Sequence, residues 1–382
     1  MNAVPSCHIC KGQLDEFKNF SDLYQVTSDC RPWRKDGHLC ICQKCGIVQK
    51  PVTRQWKRDA EDIYNCYEMY KQAGGLEQSI FDQSSGANEV RSRKIVSWLF
   101  DIGLPQTGTL LDIGCGNGAF LKAFSYVYPN YELAGLELDE KNKDELESIN
   151  GVKKLYIGNV DVLDKCFDVI VMVHALEHIP DPVKYLISIS KKLKEGGYLF
   201  VEVPHLEKSP FDILIADHCT HFDLESIRKV AQKSGYEPVK TASDYIPKEL
   251  SLFFKWSGDQ NEKKIDYFFD GSKNLKRRKI GVNENILWLL EFINKGERLP
   301  GEVGIFGTSI SATWLATSLG NKVSYFVDED VNRIGRTHLG KPIYSPNNIQ
   351  LDRKKNILMP LREDIASKIS KRYETLNFIT LS

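Results

Sequence analysis

From about residue 107 onward, short runs of consecutive apolar residues alternate with stretches whose apolar positions repeat at helical spacing. The runs Leu110–Ile113, Tyr131–Leu138, Val152–Ile157, Phe167–Val173, Tyr198–Val203 and Lys248–Trp256 predict strands. Between and around them, Glu89–Phe100, Ala119–Phe124, Lys143–Ile149, Val183–Leu193 and Ser226–Ser234 predict helices, with Gly196-Gly197 as a helix stop. Ile95, Val96, Trp98 and Leu99 form the apolar face of the first helix. This alternation predicts an α/β fold. After Trp256 the pattern fades into a charged segment, Ser257–Lys279, with the basic run Lys276-Arg277-Arg278-Lys279, read as a solvated helix or linker. An amphipathic helix over Asn283–Lys295 follows, then a second strand-turn-helix unit: Val303–Gly307, Ser311–Ser318 and the strand Lys322–Val327 ending at Asp328. Gly74-Gly75 and Ser84-Ser85-Gly86 punctuate an earlier linker. Three segments result: residues 1–75, 76–256 and 257–382.

The stretch with most chemical content is Leu110-Leu111-Asp112-Ile113-Gly114-Cys115-Gly116-Asn117-Gly118, running into the helix at Ala119. Three alternating glycines between a strand and a helix let backbone press against a ligand without side chains in the way. Glycines alone also suit a dinucleotide-binding oxidoreductase. Asp112 ends this strand and Glu137 ends the next. A carboxylate about 20 residues past the glycines is placed to grip ribose hydroxyls.

Together with Gly135-Leu136-Glu137 and the segment Phe167 to Pro182, containing His174-Ala175-Leu176-Glu177-His178-Ile179-Pro180-Asp181-Pro182, this turn resembles the class I S-adenosylmethionine (SAM) methyltransferases over about Asn88–Trp256. The resemblance implies a SAM site built from Asp112, Gly114, Cys115, Gly116 and Gly118, with Glu137 and Leu138 at the ribose end. Asn159 and Val160 would lie beside the adenine and His174 near the methyl donor. Asn159 stands where the family usually has an aspartate; Asp161 lies further on.

Lys plus Arg and Asp plus Glu are equal, at 51 each in 382 residues, which gives no electrostatic reason to expect nucleic acid. No apolar run is long enough to span a bilayer, and the N-terminus does not read as a signal peptide. Ten cysteines in so long a chain are not a disulfide framework, so a cytoplasmic protein is expected. Four of those cysteines form two C-x-x-C pairs, Cys7/Cys10 and Cys42/Cys45. Two thiolates at this spacing fall on one side of a tight turn, and four complete a closed tetrahedral site, which is structural because no position stays open for water. Gly46 suits the second turn; His8, Cys30 and Cys40 are further donors nearby, and a redox pair is the other use of the motif.

The segment Leu39–Gln49 resembles the zinc-binding module that precedes the core in sugar C-methyltransferases. That resemblance implies a nucleotide-linked sugar as acceptor and a tyrosine that reaches the active site from the segment after the zinc module. Tyr64, Tyr67 and Tyr70 are available, Tyr67 and Tyr70 being preferred; an aromatic stripe packing the module onto the core is the other reading. The family's Tyr-His-Glu-His run falls on Ile215-Ala216-Asp217-His218. The proton-accepting histidine is thereby His218, with Asp217 beside it, while the tyrosine is replaced by Ile215. His178 belongs to a segment shared by members with unrelated acceptors, which favours an architectural role over proton transfer. His218 and His221 capping the helix near Leu224 is the bland alternative. The C-terminal segment resembles the second, Rossmann-like half fold of the same enzymes, with Asp328 at its strand-end acid position and no G-x-G-x-x-G.

The expected protein is thus a SAM-dependent methyltransferase with a structural zinc ion, acting by C- or O-methylation on a small molecule, a nucleotide-linked sugar, held between core and C-terminal domain. Its oligomeric state is left open. Two other readings are a scaffold that binds SAM or a sugar nucleotide without turnover, and a nucleic-acid methyltransferase with a zinc ribbon.

Overall fold

The computed structural model describes residues 5–67, 77, 79–81, 88–243, 245–257, 271–347 and 355–381. Tyr70, Gly74-Gly75 and Ser84-Ser85-Gly86 lie outside them. The central element is a seven-stranded sheet ordered Val152–Ile157, Asn130–Glu137, Thr107–Ile113, Phe167–Val173, Leu193–Pro204, Glu249–Trp256, Tyr236–Ala242. The first five strands are parallel; Glu249–Trp256 runs antiparallel to both of its neighbours. Chain order reverses between Thr107–Ile113 and Phe167–Val173, and such a switch point leaves a crevice outside the carboxyl ends of the strands.

Two expectations fail here. Gly196-Gly197 does not stop a helix: the helix is Pro182–Ser190, and both glycines lie in the strand Leu193–Pro204, whose register against Phe167–Val173 shifts there. The strand Tyr236–Ala242 was not expected, since its charged and polar residues hide the period of an edge strand.

A four-stranded sheet ordered Leu14–Glu16, Cys40–Cys42, Val48–Gln49, Thr220–His221 joins the N-terminal module to the core, because its last strand belongs to the loop that follows the core strand Leu193–Pro204. A six-stranded sheet near the C-terminus, with Val303–Phe306 and Val323–Val327 at its centre, is parallel apart from Thr337–His338. These units share one apolar core: Phe20, Val26 and Ile41 cluster with Phe211 and Leu214 of the loop and with Ile286, Phe292 and Trp314 further on.

The charged segment that reads as linker ends in a single long helix, Gly271–Arg298, and the basic run lies inside it. Lys276, Arg277 and Lys279 are exposed, but Arg278 is only 4% exposed. Arg278 forms an ion pair with Asp223 and another with Glu225 at 3.5 Å, and Nη1 donates to Gly46 O at 2.7 Å. One side chain therefore ties the N-terminal module, the core and the long helix together. Asp223 also caps the helix Leu224–Lys233, in a capping box with Ser226. Arg278→Ala should destabilise the fold by about 3–5 kcal/mol, because it strands a buried carboxylate. Urea unfolding followed by fluorescence checks this; a midpoint equal to the parent's would refute the strut.

Candidate active site

The glycine turn leaves the strand Thr107–Ile113 with Gly114, Gly116 and Gly118 at φ +73°, +56° and +78°, a backbone region that favours glycine. Gly118 caps the helix Ala119–Val127 in this conformation. Glu137, at the end of the neighbouring strand, turns its carboxylate into the turn: Gly116 N donates to Oε1 at 2.5 Å and Leu138 N to Oε2 at 3.1 Å. Burial raises the carboxyl's pKa. Asp112 is 2% exposed, and burial, with Glu137 adding repulsion, pushes its carboxyl up to about 8. Cys115 buries its sulfur beside Gly135, where an added Cβ would lie 2.5 Å from it, so backbone is what it presents to the crevice. Leu138 is exposed beside it. The Asn159 side chain accepts from Asp161 N at 2.9 Å, capping the turn Val160–Val162, and Val160 is buried.

The loop after Phe167–Val173 approaches this turn: a Cβ at Gly114 would lie 3.3 Å from Ala175. His174 holds φ +51°, strained for a residue with a Cβ, and its N donates to Glu202 O. The His174 ring lies 3.2 Å from Glu177 and 3.5 Å from Glu249, and Arg91 donates to its Nε2 at 2.7 Å. Burial opposes charge on this ring, but the carboxylates, Glu249 foremost, outweigh it and raise the pKa. Glu202 is fully buried, and burial lifts its carboxyl to about 7.

Beyond Glu177 the loop brings His178 against His218, ring centroids 4.5 Å apart and edge to face. The expected partnership of Asp217 with His218 is not formed. Asp217 faces His178, whose Nδ1 lies 3.3 Å from Oδ2 and 3.2 Å from the Asp217 carbonyl, and it accepts from Ser28 N at 2.9 Å and Ser28 Oγ at 2.5 Å. The residue that holds His218 is Asp212: Oδ1 lies 2.7 Å from His218 Nδ1 and Oδ2 lies 2.6 Å from His221 Nδ1. Ile215 to His218 is a turn closed by His218 N donating to Ile215 O at 3.2 Å, and the short helical turn Asp212–Leu214 just before it brings Asp212 to both rings. His221 is no helix cap either, since Asp223 fills that role. Burial opposes charge on Asp212 and Asp217, yet the facing imidazoles hold both carboxyls well below the usual range. Burial favours a neutral His178, but Asp217 prevails and raises its pKa; for His221 burial prevails and lowers it.

Of the tyrosines, Tyr64 on the helix Arg54–Asn65 reaches the pair, its ring centroid 6.0 Å from His178, with Tyr67 6.2 Å behind it. Tyr64, which the sequence reading ranked below Tyr67 and Tyr70, is thus the described tyrosine whose ring packs edge to face against His178. Burial raises the Tyr64 pKa. Arg91, Glu202, Asp212 and Glu249 were absent from the sequence reading; Asp212 had the clearest signal, an acid shortly before two histidines in a loop.

The four cysteines converge: Cys7 and Cys45 sulfurs are 3.6 Å apart, Cys10 and Cys42 3.4 Å, and all four lie within 4.8 Å of one another. Gln49 Nε2 donates to Cys7 Sγ at 3.1 Å, and Cys45 N lies 3.4 Å from Cys42 Sγ. Four thiols with amide donors turned toward them fit a closed metal site. The module bearing them braces the loop that carries His218 and His221. His8 Nε2 meets Thr220 Oγ1 at 2.7 Å, Lys50 Nζ donates to Ile215 O, and Trp56 Nε1 donates to Ala216 O at 3.0 Å.

Residues 88–241 match a family described as methyltransferase domain. This part of the chain is a class I SAM-dependent methyltransferase domain. The domain is similar to an uncharacterized methyltransferase of Schizosaccharomyces pombe, 30% identical over 108 residues, 25% of this chain and 39% of the relative. It is 29% identical to (S)-tetrahydroprotoberberine N-methyltransferase of Eschscholzia californica, over 27% of this chain and 31% of the relative. It is 27% identical to the ubiquinone biosynthesis O-methyltransferase of Proteus mirabilis, over 28% and 46%. The chain thus spans less than half the length of these relatives. Among solved structures, a SAM-dependent methyltransferase from Clostridium acetobutylicum aligns over 53% of this chain and 98% of its own, at 15% identity and TM-score 0.37. No described helix is long and apolar enough to cross a membrane.

Proposed function

We propose that the chain transfers a methyl group from SAM to carbon or oxygen of a small acceptor, a nucleotide-linked sugar, held between the methyltransferase domain and the C-terminal sheet. One observation carries the reading: the loop containing Ala175 comes so near the glycine turn that a Cβ on Gly114 would meet Ala175 at 3.3 Å, and the same loop delivers His178 onto His218. Donor crevice and buried base are therefore neighbours. Bound SAM supplies a methyl carbon that is already electrophilic. The protein's work is to hold the acceptor in line, exclude water and take a proton. Glu137 accepts from the ribose hydroxyls, the glycine backbone gives close approach, and Leu138 with Val160 flanks the adenine with Asn159. Asp112 and His174 line the methionine end. His218 takes the acceptor's proton through Nε2, since its Nδ1 faces Asp212. Tyr64 closes the acceptor side over His178, with Tyr67 behind it; Tyr70 remains a further candidate from the same segment. Cys7, Cys10, Cys42 and Cys45 would hold a structural zinc ion. The named relatives match only the domain, so they support the donor half; the sugar rests on the N- and C-terminal resemblance.

Glu137→Ala should weaken SAM binding by about 1.5–3 kcal/mol, the worth of hydrogen bonds to a charged group. Gly116→Val should weaken it as well, because a branched residue resists φ +56°. Calorimetric titration decides; parent-like affinity in both variants would misplace the cofactor site. Tritiated-methyl transfer across a nucleotide-sugar panel tests the acceptor, and SAM binding with no product from any sugar would favour the scaffold reading.

A further inference from the structure

Glu177, His178 and His218 each offer a ligand atom within 4.8 Å of the others, in a group separate from the four cysteines. Glu177 is 1% exposed; its Oε1 faces His174 Nδ1 at 3.2 Å, and among the described residues Oε2 has no hydrogen-bond partner. A buried carboxylate oxygen left without a hydrogen bond is costly unless something charged completes it. Both imidazoles are oriented by carboxylates, Asp217 at His178 Nδ1 and Asp212 at His218 Nδ1. A ring whose Nδ1–H faces a carboxylate keeps its lone pair on Nε2, the arrangement that orients and strengthens histidine ligands of metal ions. Two such histidines and one carboxylate form an N,N,O donor set with open positions, suited to borderline divalent ions.

We propose that Glu177, His178 and His218 form a second, exchangeable site for a divalent ion of the zinc type, overlapping the acceptor base. The ion binds Nε2 of His178 and His218 and the Glu177 carboxylate. It occupies the lone pair that would take the acceptor's proton, so metal and acceptor deprotonation exclude each other. This consequence for activity rests on the function proposed above; the site itself does not.

Cobalt(II) is the probe, titrated by equilibrium dialysis into the full-length protein whose cysteine site has been filled with zinc. One further cobalt per chain is expected, with a visible ligand-field spectrum and no sulfur-to-metal charge-transfer band. Asp212→Asn, which leaves all three ligands in place, should weaken this cobalt about 10–100-fold. Glu177→Gln and His178→Gln should abolish it while SAM affinity, measured on the same samples, shows that the domain is folded. No cobalt beyond the cysteine site, or equal binding by Glu177→Gln, overturns the proposal. Zinc should inhibit methyl transfer competitively with acceptor and reversibly with chelator. Activation by zinc, with cobalt bound as expected, would keep the site and overturn both exclusion and the assignment of His218 as free base.

Discussion

His218→Ala is expected to lower methyl-transfer turnover about 10²–10⁴-fold, the usual contribution of a positioned base, with SAM affinity nearly unchanged. The ring is 3% exposed, meets Asp212 on one nitrogen and packs edge to face with His178, so its removal tests the proposed base directly. Asp212→Asn should lower turnover in the same direction by less, because an amide can still meet Nδ1 but cannot stabilise the imidazolium. Asp217→Asn should act through His178 and Ser28 and leave the His218 tautomer alone. His221→Gln is the control, expected to lower stability more than rate. Asp212 also gives a pH signature. Its carboxyl is held well below the ordinary value, so its stabilisation is present above the unfolded carboxyl's pKa of about 3.9 and is lost as pH falls through the lower folded value. The stability deficit of Asp212→Asn should therefore be largest near neutral pH and shrink in strong acid. Single-turnover rates and melts on the four variants separate these roles. Full activity in His218→Ala would move the base to His178 or Tyr64.

Cys42→Ser is expected to abolish stoichiometric zinc and to loosen more than the N-terminal module. A structural zinc site contributes folding energy directly, on the order of 10 kcal/mol in isolated zinc-finger peptides. Here the strand Cys40–Cys42 pairs with Val48–Gln49, which pairs in turn with Thr220–His221 of the acceptor-side loop. Metal loss should thus propagate into the loop that carries His218, raising amide exchange around residues 215–221 before the central sheet is affected. Elemental analysis and hydrogen exchange test both statements. Full zinc content in Cys42→Ser would refute the ligand set, and unchanged exchange over 215–221 would refute the coupling.

The chain alone determined those parts of the protein that depend on near neighbours. The run Leu110–Ile113, its three alternating glycines and the strand-end acid Glu137 predict the turn and strand end proposed to hold the donor, because a tight turn and a strand end are local geometry. The two C-x-x-C pairs likewise predict the convergence of the four sulfurs, since each pair needs only its own turn. The strands Val152–Ile157 and Phe167–Val173 were legible to the residue; the second is apolar apart from Asp168, and the first keeps Val152, Leu155 and Tyr156 buried although Lys153 and Lys154 are exposed. The tertiary structure alone decided who pairs with whom across long separations. It took the ring of His218 from Asp217, its neighbour, and gave it to Asp212; it moved Asp217 to His178; and it brought Tyr64 to the pair from the N-terminal module. It also buried Arg278, one member of a run of four basic residues, between Asp223 and Gly46. Period and composition report which face of an element is apolar, but charge pairing depends on how separate elements dock. Only the shared core of the N-terminal module, the acceptor-side loop and the long helix sets that docking.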